Sequence, residues 1–143
     1  PCAPFASTSK WTMSEPEPVK GILLAHGSMA RGMADAIRRI AGVGEEALIP
    51  LSNDGKGPDE ILRELDEAAG EGPAVIFTDL FTGSCALSAR KACFESGERV
   101  VVFGTNLPML LDFVFHRELP LDELVPRLVA RGREAVQSAP PGG

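Results

Sequence analysis

Four short apolar runs alternate with segments of helical period along this chain, and that alternation restricts the fold more than any other feature. The runs cover residues 19–25, 47–51, 74–78 and 99–103. Three of the four are apolar almost throughout, as strands are when helices cover both faces of a parallel sheet. Between them the period changes. Met29, Met33, Ala36, Ile37 and Ile40 mark one face of a first helix, with Arg38 and Arg39 off that face and Gly42 as its stop. Pro58 opens a second helix, with Ile61, Leu62 and Leu65 inward and Asp59, Glu60, Arg63 and Glu64 outward. Ser84 is the expected cap of a third, running to Ser96 and ended by Gly97. Asn106 caps a fourth that begins at Leu107 and Pro108, where a first-turn proline is tolerated. A last helix is expected over residues 121–136, with Pro126 either delaying its start or kinking it. The pattern predicts an α/β fold: three layers, doubly wound, a mainly parallel four-stranded sheet and helices on both faces.

A length of 143 residues suits one domain, and a 44% hydrophobic composition supplies a core for it. No apolar run approaches the roughly 20 residues that cross a bilayer, so no membrane insertion is expected. The net charge of −6 argues against a nucleic-acid partner, which wants a basic face. Cys2, Cys85 and Cys93 are sparse and lack a Cys-x-x-Cys spacing, the usage of reduced thiols in the cytoplasm. Residues 1–12 have no period and precede a plausible native start at Met13; they are expected to be a leader foreign to the fold. Residues 13–137 then form the single domain, and the proline- and glycine-rich residues 138–143 a flexible tail.

The first strand ends in Ala25-His26-Gly27-Ser28. An imidazole at the mouth of a buried strand is poorly explained by packing, and it can serve as acid, base or nucleophile. Ligands of open α/β sheets bind beyond the carboxyl ends of the strands, where the strand order reverses. If the order is 2-1-3-4, that point lies between strands one and three, and the residues just past those ends are His26 and Asp79. A carboxylate beside an imidazole fixes its tautomer and aims the free nitrogen outward. Gly27 leaves room beside the ring. The loop Leu80-Phe81-Thr82-Gly83-Ser84 leads into a helix start, a source of unpaired N–H groups and positive dipole. Ser28 and Ser84 add hydroxyls. Such a site would hold a phosphoryl group on His26. No Walker loop and no metal-ligand cluster is visible, so neither ATP nor a bound metal is implied.

Plainer roles exist for the neighbours. Phe81 serves equally as core or as an exposed docking contact. Met29, Met33 and Met109 suit the core or a partner surface. Cys85 and Cys93 read as small core residues of the third helix, and His116 as a solvated residue complementing a helix end.

Three stretches now resemble one family: residues 25–33, residues 78–84, and Gly104-Thr105-Asn106-Leu107-Pro108-Met109-Leu110. Each lies at a strand-to-helix junction, and together they resemble the mannose-type enzyme IIA proteins of the bacterial sugar phosphotransferase system, over residues 19–136. The resemblance implies sheet order 2-1-3-4, phosphorylation of His26 and orientation of it by Asp79. Read from the residues themselves, Gly27, Ser28, Thr82, Gly83 and Ser84 are expected around the phosphoryl group, and Phe81, Met29 and Met109 are the candidate docking contacts. The partners the resemblance implies are the phosphocarrier HPr as donor, a IIB component as acceptor and a second copy in a homodimer. The third-strand loop departs from the family's Asp-Leu-x-Gly-Gly-Ser-Pro pattern: Thr82 replaces the first glycine, Cys85 the proline and Leu87 a later asparagine. A regulatory module that binds partners without being phosphorylated is the alternative those departures motivate. His-Gly-Ser after a strand is also similar to the small tetrapyrrole metal chelatases, whose chemistry would need His116 as a second ligand.

Overall fold

In the computed structural model the two central strands are β1 (Lys20–Ala25) and β3 (Ala74–Thr78), flanked by β2 (Leu48–Ser52) and β4 (Arg99–Val102). The structure describes residues 17–43, 45–94 and 96–142, so the leader expected at residues 1–12 lies outside the described residues. Strand order is β2-β1-β3-β4 and all pairings are parallel. Ile22 of β1 sits beside Ile49 on one side and Ile76 on the other. The order reverses between β1 and β3, as the 2-1-3-4 expectation required.

Period two explains how continuous apolar strands build two cores. Leu23, Ala25, Val75 and Phe77 face one way, against helices α1 (Met29–Ala41), α4 (Leu107–Val114) and α5 (Leu121–Glu134). Ile22, Leu24, Ala74 and Ile76 face the other, against α2 (Pro58–Ala69) and α3 (Ser84–Phe94). Alternate side chains of a strand point to opposite faces, so a strand covered on both faces must be apolar at every position. On the first face Phe77 meets Phe113 edge-on, ring centroids 5.1 Å apart. Such pairs contribute about 0.5–1.5 kcal/mol beyond their burial.

The helix boundaries follow local chemistry. Gly42 adopts a left-handed conformation and its N–H caps the Arg38 carbonyl, ending α1. The Asn106 side chain accepts from the Met109 N–H, opening α4. Ser84 is not the cap expected of it: it is the first residue of α3, which ends at Phe94 rather than Ser96. The last helix does not start late. It begins at Leu121 with Pro126 inside it, because buried Leu124 and Leu128 anchor the turns on both sides of the proline. Among the described residues, no helix is long and apolar enough to cross a membrane.

Candidate functional site

The carboxyl ends of β1 and β3 bring His26 and Asp79 together across 53 positions of sequence. His26 Nδ1 lies 2.8 Å from Asp79 Oδ2, and the His26 backbone N–H donates to the same oxygen at 3.0 Å. The Leu80 N–H donates to Oδ1 at 2.9 Å. Burial pushes the Asp79 carboxyl up, but these hydrogen bonds and the His26 ring outweigh it and hold the group below the ordinary aspartate value of 3.8. An ionised carboxylate only accepts. Nδ1 is therefore the nitrogen that donates, and in the neutral ring the lone pair lies on Nε2. The Asp79 side chain is 8% exposed and that of His26 42%, so the pair has a buried anchor and an open end.

Both glycines beside the ring have backbone conformations that side chains disfavour. Gly27 has φ +60 and lets the chain turn from β1 into α1. Gly83 has φ +98, and a Cβ built on it would lie 3.9 Å from His26 Nε2. The open side of the imidazole thus faces the β3–α3 loop. Thr82 and Ser84 are exposed on that loop, and Ser28 is exposed where α1 begins. The first N–H groups of α3 lack helical acceptors, since the Leu87 N–H is the one that reaches back to the Gly83 carbonyl.

Residues that the sequence reading passed over complete the site. Ser52 Oγ donates to the Gly27 carbonyl at 2.8 Å, and Asn53 Oδ1 accepts from the Gly27 N–H at 3.4 Å. The two fix the Gly27 peptide from the neighbouring strand β2. In the sequence they read only as the start of a loop; the signal was the strand order, which sets the end of β2 beside His26. Thr105 does the same for β3, through an Oγ1 hydrogen bond to the Thr78 carbonyl at 2.9 Å.

Cys85 is the second unforeseen neighbour. Its sulfur lies 3.8 Å from His26 Nδ1, and the residue is wholly buried. Burial and the Asp79 charge push its thiol up to about 11, against a smaller opposing hydrogen bond from Ser84. The sequence revealed no cluster of metal ligands, but the fold assembles one: His26, Asp79 and Cys85 offer ligand atoms that all lie within 4.8 Å of one another. His116 is elsewhere engaged, its Nδ1 at 2.8 Å from the Asp112 carbonyl oxygen.

The docking residues divide. Phe81 is 64% exposed and Met29 45%. The Phe81 ring meets Phe103 edge-on at 5.0 Å, and the Arg90 guanidinium sits over both rings. Met109 is corrected: at 4% exposure it has no surface to offer. Its side chain points to α5, where a Cβ on Gly132 would stand 2.6 Å from the Met109 Cε. The close approach of α4 and α5 consumes the methionine as packing.

A family profile described as the fructose IIA component of the phosphotransferase system matches residues 20–128. The chain belongs to the mannose-type enzyme IIA family. As a IIA chain it is a component of a sugar phosphotransferase system, a phosphotransferase by class. It is similar to the mannose/sorbose-specific IIA subunit of Enterococcus faecalis, at 25% identity and TM-score 0.76, over 87% of this chain and 96% of that one. It shares its fold with the phosphotransferase component EIIA of Streptococcus agalactiae, at 23% identity and TM-score 0.78, over 84% and 96% of the two chains. A IIA protein associated with the fucose utilization operon of Streptococcus pneumoniae also shares it, at 20% identity and TM-score 0.68, over 86% and 95%. No curated protein matches the chain.

Proposed function

We propose that this IIA component accepts a phosphoryl group from the phosphocarrier HPr on His26 Nε2 and passes it to a IIB component in the cytoplasm. One observation carries the reading. Nδ1 is held at 2.8 Å by a buried carboxylate while the ring stays 42% exposed. In the transfer, the Nε2 lone pair forms a bond to phosphorus as the bond to the donor's nitrogen breaks. The ring becomes cationic, and Asp79, accepting from Nδ1–H, stabilises that charge as it develops. The Gly27 and Gly83 backbones, Ser28, Thr82, Ser84 and the start of α3 offer room, hydroxyls and N–H donors for the phosphoryl oxygens. Phe81 and Met29 are the exposed apolar contacts for the partner proteins. Transfer onto IIB reverses the same steps and leaves the ring neutral.

The phosphoryl group adds about −1.5 to −2 charges. On a chain of net charge −6 this changes which partner is bound, the basis of a regulatory role beside transport. A homodimer is part of the same reading and is read by sedimentation.

Intact mass after incubation with phosphoenolpyruvate, enzyme I and HPr tests the proposal. A gain of one phosphoryl group, absent in His26→Ala, is the expected result. No gain from active donors overturns it and leaves a module that binds without being phosphorylated.

A further inference from the structure

We propose that His26, Asp79 and Cys85 form a binding site for zinc or a similar thiophilic divalent cation, and that the ion switches phosphoryl acceptance off. The switching half rests on the function proposed above; the site itself does not.

The three side chains converge from different elements: His26 follows β1, Asp79 follows β3 and Cys85 lies in the first turn of α3. Their ligand atoms all lie within 4.8 Å of one another. Tetrahedral zinc, with bonds of about 2.0–2.1 Å to nitrogen and oxygen and 2.3 Å to sulfur, sets its ligands roughly 3.3–3.6 Å apart. The observed Nδ1 to Sγ separation of 3.8 Å closes slightly, and the Nδ1 to Oδ2 separation of 2.8 Å opens slightly. The Asp79 oxygen and the Cys85 sulfur, within 4.8 Å of each other, close toward the ion as well. Water fills the fourth position.

The donor set chooses the ion. Thiolate and imidazole favour zinc and its neighbours over magnesium and calcium, which prefer oxygen. The open side of the cluster is the His26 ring, whose side chain is 42% exposed.

Binding changes His26 in a defined way. The Cys85 thiol releases its proton to solvent as the sulfur–metal bond forms. Nδ1 must give its lone pair to the ion, so the neutral ring carries its proton on Nε2. That nitrogen then has no lone pair for phosphorus. The ion also takes the Asp79 oxygen that would have stabilised the phosphorylated ring. One ion thus removes the nucleophile and its support together.

The test uses the full chain without a histidine tag and no phosphotransfer proteins. Cobalt(II) alone is titrated in, and a thiolate-to-cobalt charge-transfer band is followed; zinc then displaces it. The expected result is one site with that band, kept in a Cys2→Ala, Cys93→Ala double variant and lost in Cys85→Ala and His26→Ala. Hydrogen-bond partners of a metal ligand are worth roughly 10- to 100-fold in affinity, and a ligand is worth no less, so zinc should bind Cys85→Ala at least about 10-fold more weakly. No band in the wild type, or a band that survives Cys85→Ala, overturns the site. Cys85→Ser keeps the volume and replaces Cys85→Ala if the latter does not fold. Phosphoryl uptake is then measured with and without zinc. Zinc should stop it in the wild type and leave Cys85→Ala at its own zinc-free rate. Equal inhibition of both overturns the switch. If no uptake occurs without zinc, the phosphocarrier reading has failed, and the cobalt titration still decides the site.

Discussion

Two histidine–aspartate pairs stand among the described residues, and they are built to different ends. At His26 the carboxylate of Asp79 is committed to the histidine: it takes the ring Nδ1, the His26 N–H and the Leu80 N–H. At His116 the carboxylate of Asp112 is committed elsewhere. Arg127 Nε and Nη2 hold its two oxygens at 2.7 and 3.0 Å, and Arg131 Nε lies at 3.6 Å. His116 Nδ1 is left with the Asp112 backbone carbonyl at 2.8 Å, the carboxylate being 3.4 Å away. One pair fixes the donating nitrogen of a ring that stays 42% exposed. The other ties α4 to α5 and finishes a helix end. Proximity of an imidazole to a carboxylate does not by itself make a site; the two pairs differ in what else the carboxylate must neutralise.

The most severe way to break this comparison is to delete each ring. His26→Ala should abolish phosphoryl uptake, while His116→Ala should take up phosphate at the wild-type rate, as read by intact mass over time. Exchange of the carboxylates comes next. Asp79→Asn keeps the shape but gives the ring no fixed tautomer and no countercharge. Its uptake should slow on the order of 10²- to 10⁴-fold, with the loss in rate rather than in donor affinity. Asp112→Asn should lower the melting temperature by several degrees and leave uptake unchanged.

Acid sharpens the comparison further. The folded value of Asp79 is depressed, so its contribution to stability is full above the ordinary aspartate value of 3.8 and disappears as pH falls through the lower folded value. Chemical denaturation below pH 4 should show the wild type losing stability that Asp79→Asn never had, so the two curves converge with falling pH. Parallel curves would sink this account of Asp79. The smallest effect is expected at Gly83. Gly83→Ala meets a φ of +98 and should cost about 1–2 kcal/mol in urea unfolding. Its methyl group, in ordinary contact with the His26 ring, should slow uptake by less than Asp79→Asn does.

Much of this was legible from residues alone. The apolar runs located all four strands to within about a residue, because a strand covered on both faces must be apolar at every position. The meeting of His26 and Asp79 was legible because each follows the end of one of the two adjacent central strands. Met109 was not. Its place in a motif beside the site suggested a surface, but the glycine on α5 that admits it is 23 positions onward, and only packing joins them. Pro126 did not delay the last helix: it lies inside a helix that begins at Leu121, with buried Leu124 and Leu128 on either side of it.

The sequence by itself determined the element order, the two-faced core and the placing of a histidine just past the end of the first strand. Those are consequences of local periodicity and of side-chain chemistry, which each segment carries with it. The tertiary structure alone decided that Ser52 and Asn53 would clamp Gly27, that Cys85 would lie against the ring, and that Asp112 would serve arginines rather than a histidine. Those depend on which strand ends and helix faces become neighbours, and a linear pattern does not record what the chain will meet after it folds back on itself.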